Sequence, residues 1–142
     1  MMVVDANVLL YAYDSSCESH LRCRDWWTTA LNGHEQLGLP WQSMLAFIRI
    51  ATNVRVFELP LSALRACEIV SSWLARPQVL VLEPGERFWT IFKAQVNSAQ
   101  IRGPTISDTA LAALSIEHGA TLCTTDRDFR RFDGLKLFDP RT

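Results

Sequence analysis

Four aspartates stand where they could do chemistry together. Asp5 directly follows the apolar run Met2-Val3-Val4. Asp108 opens the Ala-rich segment that runs to His118, and Asp126 and Asp128 lie in Thr124-Thr125-Asp126-Arg127-Asp128. Asp5 and Asp126 each sit just past a predicted strand. In open parallel sheets that is where ligands bind, beyond the carboxyl ends of the strands. The helix carrying Asp108 leads into the strand before Asp126, so these carboxylates can converge on one sheet edge. Clustered carboxylates repel, and keeping several ionised without compensation is costly. A divalent cation relieves that cost, and an all-oxygen donor set suits Mg²⁺ or Mn²⁺. Such an ion activates water and neutralises charge on phosphoryl oxygens. The pattern therefore points to phosphodiester or phosphomonoester chemistry. Each acid also has a plainer role open to it. Asp108 could serve a helix dipole, and Asp126 and Asp128 could be turn formers. Asp5 is harder to explain away, since a carboxylate after Val-Val in a central strand needs a partner or a metal.

Other reaction schemes find no support. The chain has no GxSxG elbow, no Gly-rich phosphate loop and no HExxH. His20, His34 and His118 have no evident catalytic company, and His118 before Gly119 reads as a helix C-terminus. Cys17, His20 and Cys23 fall at intervals of three, but a structural zinc site needs a fourth ligand and none is near. The four cysteines form no CxxC pair, which suits free thiols in a reducing cytoplasm. The tryptophans read as core or interface mass.

The elements that must position the acids alternate. Strands are expected at Met2–Val4, Glu35–Leu39, Val79–Leu82, Thr121–Thr124 and Leu135–Phe138. Helices are expected over Asn7–Tyr13, from a Ser19 cap through His20–Leu31, and over Ser43–Asn53, Pro60–Ala75, Gly85–Gln100, Thr105–His118 and Asp128–Phe132. Short apolar strands between longer helices predict an α/β fold, with a mostly parallel central sheet flanked by helices on both faces. With 142 residues, 49% of them hydrophobic and 20% charged, the chain is the size of one globular domain and not a disordered segment. A net charge of −1 excludes a wholly cationic nucleic-acid-coating surface, though not local binding. Asp5 interrupts the N-terminal apolar run before it could form a signal sequence, and no stretch predicts a membrane span.

Val3-Val4-Asp5-Ala6-Asn7-Val8-Leu9 resembles the opening of PIN-domain ribonucleases. Ser107-Asp108-Thr109-Ala110-Leu111-Ala112-Ala113-Leu114, Glu117-His118-Gly119-Ala120-Thr121-Leu122 and Thr124-Thr125-Asp126-Arg127-Asp128-Phe129 resemble their C-terminal half. The whole chain, 1–142, is similar to one PIN domain of the VapC type, the toxin of a bacterial toxin–antitoxin pair. The resemblance implies Mg²⁺-dependent endoribonuclease activity, with Mn²⁺ as a substitute. By it, Asp5, Asp108 and Asp126 form the catalytic metal site, and Asp128 is a fourth acid at the metal or one just behind it. Asn7 and Thr125 would orient ligands or the attacking water. Phe47-Ile48-Arg49 resembles the end of the family's Glu-containing helix motif, but Ala46 stands where the acid would be. Gln42 and Ser43 are the nearest polar residues. One firmly held metal, with a second supplied partly by substrate phosphates, fits this departure. Arg49, Arg102 and Arg127 are candidates for flanking phosphates.

The resemblance also implies partners: an RNA substrate, a cognate antitoxin that places a Lys or Arg near the acids, and a second copy in a homodimer. A phosphatase of the HAD type is a rival, but it wants a second acid where Asn7 stands. A PIN-like module that binds RNA or protein without cleaving is the alternative that Ala46 keeps open.

Overall fold

The computed structural model describes residues 1–142, apart from the side chain of Pro104. Five parallel strands form one sheet: β1 (Met2–Val4), β2 (Leu37–Pro40), β3 (Val79–Leu82), β4 (Thr121–Cys123) and β5 (Lys136–Phe138). Their spatial order is β3-β2-β1-β4-β5, and every neighbouring pair is parallel. β1 is thus the central strand. Chain order runs outward from it in one direction to β3, then returns to β4 on its other side. That reversal, between β1 and β4, creates the crevice in which open sheets bind ligands.

Among the described residues, six α-helices cover the sheet: α1 (Ala6–Tyr13), α2 (His20–Leu31), α3 (Trp41–Ala51), α4 (Ala63–Leu74), α5 (Phe88–Ser98) and α6 (Ile106–Glu117). Short 3-10 turns occupy Gly103–Thr105 and Arg127–Arg131. Successive side chains of a strand point to opposite faces, and the core divides accordingly. Val4 and Cys123 join Trp27, Phe47 and Trp73 on the face covered by α1 to α4. Val3 and Leu122 join Leu111, Ala112, Leu114 and Phe129 on the face of α6. Both faces are buried, which is why the strands read as unbroken apolar runs rather than alternating ones.

Boundaries moved by a few residues, and several expectations need correction. Val79–Leu82 is a strand as predicted, and it lies at the sheet edge, where Leu80 and Val81 are more than a third exposed. Leu64 is 72% exposed, whereas Ile69 and Trp73 of the same helix are buried. Ser19 precedes α2, but its side chain makes no cap bond; the hydroxyl that caps is Ser62, which accepts the Arg65 N–H of α4 at 3.0 Å. The predicted helix at Asp128–Phe132 is the 3-10 turn from Arg127. Gly119 follows α6 with φ of +62°, the left-handed geometry that only glycine adopts freely.

Candidate active site

Three of the four aspartates meet at the carboxyl end of the sheet. Asp5 leaves β1 in extended geometry as the residue before α1, and its N–H bonds to the Cys123 carbonyl of β4 at 3.0 Å. Asp126 precedes the 3-10 turn after β4, and Asp108 lies in the first turn of α6. All three line one cavity of about 410 Å³, with Asn7, Gln42, Ser43, Ala46, Arg49 and Ser107 also in its wall. The Gln42 amide donates to the Ser107 carbonyl at 3.0 Å and so ties the start of α3 to the start of α6 across this cavity.

Among the described residues, none of these three acids makes an ion pair. Their electrostatics show the strain. Burial pushes the Asp5 carboxyl up to about 6, against a hydrogen bond from Thr124 that favours the ionised form, and the nearby Asp108 and Asp126 raise it further. Asp108 is raised too, first by burial and then by Asp126, while Arg131 partly offsets this. A low-dielectric crevice holding mutually repelling carboxylates has an unmet demand for positive charge.

Two buried polar atoms in the same wall also lack partners, Asn7 Oδ1 and Ser43 Oγ. With the three carboxylates they make a donor set of hard oxygens, which suits Mg²⁺ or Mn²⁺. The groups share a cavity without closing on a point: among the described residues, no three His, Cys, Asp or Glu side chains are near enough to enclose an ion as they stand.

The supporting residues divide. Asn7 Nδ2 donates to the Thr124 hydroxyl at 3.4 Å, which turns its Oδ1 away from that contact. Arg49 is exposed at the cavity wall. Asp128 is outside the cavity lining; its N–H bonds to Asp126 Oδ1 at 2.9 Å, and its charge acts on Asp108. The threonine that joins the acids is Thr124 rather than Thr125. Its buried hydroxyl donates to Asp5 Oδ2 at 2.8 Å and accepts the Asp126 N–H at 3.0 Å. Thr125 instead offers its carbonyl to Arg141. Strand periodicity was the available signal: residues 122 to 124 alternate faces, and only one of two adjacent threonines can turn toward Asp5. Arg102 and Arg127 are exposed and do not line the acid cavity. His20 Nδ1 lies 2.8 Å from the Tyr11 carbonyl, and His118 Nε2 lies 3.0 Å from that of Glu83. All four cysteines are free.

A five-stranded parallel α/β sheet with carboxylates gathered at its switch point defines the PIN-like class. Residues 2–135 match the PIN domain family model, and the chain belongs to that family. It is 37% identical over 140 residues to Ribonuclease VapC37 of Mycobacterium tuberculosis, covering 99% of this chain and 97% of that one. It is 39% identical over 140 residues to VapC ribonuclease Mb2897 of Mycobacterium bovis, with 99% and 95% covered. Among solved structures, VapBC-1 from nontypeable Haemophilus influenzae superposes with a TM-score of 0.72 over 99% of this chain and 98% of that one, at 16% identity. At such identity the likeness shows the shared fold. Among the described residues, no helix is long and apolar enough to cross a membrane.

Proposed function

We propose that this chain is the toxin of a toxin–antitoxin pair, a Mg²⁺-dependent endoribonuclease acting as one domain in the cytoplasm. The observation that carries the reading is the convergence of Asp5, Asp108 and Asp126 on one cavity without a paired cation. The relatives' names as ribonucleases supply the substrate class.

Asp5, Asp108 and Asp126 would hold Mg²⁺ or Mn²⁺, with Asn7 Oδ1 and Ser43 Oγ available as neutral oxygens toward the ion or its waters. The bound ion would lower the pKa of a water and neutralise charge on the phosphoryl group. The rest is the work of the chain's own groups. Thr124 fixes the Asp5 carboxylate through its 2.8 Å hydrogen bond. Asp128 braces Asp126 through its N–H, which donates to Asp126 Oδ1 at 2.9 Å, and adds negative charge beside the cavity. Arg49 offers a cation to a phosphate flanking the scissile one. Gln42 holds the two helices that wall the crevice.

An antitoxin segment has a place to lie. A groove lined by Leu10, Tyr13, Phe47, Phe57, Leu59 and Leu61, with Asp14 and Ser15 at its polar side, adjoins the acid cavity, and Leu10 borders both. Leu59 on its rim is 91% exposed. A peptide seated there could reach the carboxylates with a Lys or Arg and replace the ion's charge. A homodimer with two active sites remains part of the reading, and sedimentation of the purified protein tests it.

The activity test is cleavage of total cellular RNA by the purified protein in Mg²⁺, Mn²⁺ or EDTA, with the new ends mapped. Cleavage should require metal, and Asp5→Asn, Asp108→Asn and Asp126→Asn should each lose more than about a hundredfold, since even supporting groups around metals matter 10–100-fold. Equal cleavage by wild type and Asp5→Asn would sink the assignment. A second reading, a binding module without activity, draws on Ala46, half-buried in the cavity wall where the family motif carries an acid. RNA retention without cleavage in either metal would favour it.

A further inference from the structure

We infer that Arg141 is a positioning residue that braces the acid-bearing loop after β4 from behind. The inference rests on the reading of Asp5, Asp108 and Asp126 as the metal-holding acids, and names what keeps Asp126 in register with Asp5.

The chain after β5 turns back on itself at Asp139-Pro140-Arg141. The Arg141 guanidinium grips Asp139 twice, Nε to Oδ1 at 2.9 Å and Nη2 to Oδ2 at 2.6 Å. The Arg141 N–H bonds to Asp139 Oδ1 at 2.9 Å as well. The pair is about two-thirds or more covered, with side-chain exposures of 33% and 24%. Bidentate, partly buried pairs of this kind hold their geometry, unlike loose surface pairs. The Arg141 guanidinium holds the Asp139 carboxyl below the usual carboxylate range.

The same Nη2 that reaches Asp139 also donates to the Thr125 carbonyl at 2.9 Å. A second arginine anchors the far side: Arg22 of α2 donates to the Arg141 carbonyl at 2.8 Å. Thr125 lies between Thr124, whose hydroxyl bonds Asp5 and the Asp126 N–H, and Asp126 itself. The network therefore runs from α2 through Arg141 to the Thr125–Asp126 peptide, whose N–H bonds the Thr124 hydroxyl that also holds Asp5. None of these bonds serves the strand pairing, because β4 ends at Cys123 and β5 at Phe138.

Such outer support commonly changes metal affinity or activity by 10–100-fold when removed, without touching the ligands themselves. Lysine cannot reproduce the device. A point-charge ammonium lacks the planar fork that spans a carboxylate and a carbonyl together.

The test compares Arg141→Ala and Arg141→Lys with the full-length wild type, using three readouts. The first needs no metal or substrate: amide hydrogen exchange in EDTA. Exchange at Asp126 and Asp128, whose N–H groups bond within the loop, should accelerate at least tenfold in both variants. Exchange at Val70, buried in the middle of α4, should stay unchanged. The second is Mn²⁺ binding by calorimetry, where affinity should fall 10- to 100-fold in both variants. The third is cleavage of a single-stranded RNA oligonucleotide in saturating Mn²⁺, where kcat should fall and KM hold. Unchanged loop exchange in both variants overturns the inference. So does equal acceleration at Val70, which would mean global destabilisation. Full rescue by lysine, or a raised KM at constant kcat, would make Arg141 a phosphate contact and also overturn it. Should wild type fail to bind Mn²⁺, the metal reading falls, while the exchange result still decides the brace.

Discussion

Replacing Asp5 with asparagine should stabilise the metal-free protein while abolishing its response to metal. The Asp5 carboxyl is pushed from 3.8 up to about 6 by burial and by its acidic neighbours. Between those values the native state binds more protons at this site than the unfolded chain. Stability from this group is therefore lost as pH rises from about 4 to about 6, and stays lost above. A shift of about two pK units corresponds to about 3 kcal/mol at roughly 1.4 kcal/mol per unit. Asparagine removes the charge but keeps an oxygen for the Thr124 hydroxyl. In EDTA at pH 7.5, Asp5→Asn should then be more stable than wild type by up to about 3 kcal/mol, a rise in Tm of roughly 5–10 °C for a chain of this size. The advantage should vanish near pH 4. Mn²⁺ should raise the Tm of wild type and leave the variant unmoved, by binding linkage. Thermal unfolding across pH 4 to 8, with and without metal, measures all of this. A variant no more stable than wild type at pH 7.5, with parallel pH slopes, would refute the account of a strained, uncompensated carboxylate.

Ala46→Glu should tighten Mn²⁺ binding measured by calorimetry, because residue 46 lines the acid cavity; an unchanged affinity would mean that the new carboxylate does not reach the site. Thr124→Val should cost about 1–3 kcal/mol in denaturant unfolding and weaken Mn²⁺ binding as well, since it strips both Asp5 Oδ2 and the Asp126 N–H of their partner. Trp73→Ala should destabilise by about 3–5 kcal/mol, as a ring 1% exposed among Tyr13, Trp27 and Phe47 leaves a cavity behind. Leu64→Ala on the same helix should change stability by no more than about 0.5 kcal/mol, and a large loss there would contradict its outward placement.

Much of the architecture was legible in the sequence because its signals are local. An apolar run cut short by Asp5 announces a buried strand ending at a carboxylate, and Ala-rich periodicity closed by Gly119 announces α6. The motif blocks around Asp5, Asp108 and Asp126 carried the family. Tertiary structure decided what depends on residues far apart in the chain. Thr124 and Asp5 are 119 positions apart; strand periodicity says that only one of the two adjacent threonines can serve the acids, and the β1–β4 register decides that it is Thr124. Val79–Leu82 has the composition of a central strand, yet its place at the edge follows from where the crossovers put it. Leu64 fits an apolar stripe, but the approach of α4 to α3 and β3 determined which side of that stripe was covered. Asp139-Pro140-Arg141 reads as an ordinary polar tail until folding sets its guanidinium against the Thr125 carbonyl. Local propensity and pattern are written along the chain, whereas the partner of a given hydroxyl, carbonyl or guanidinium exists only once distant segments have packed.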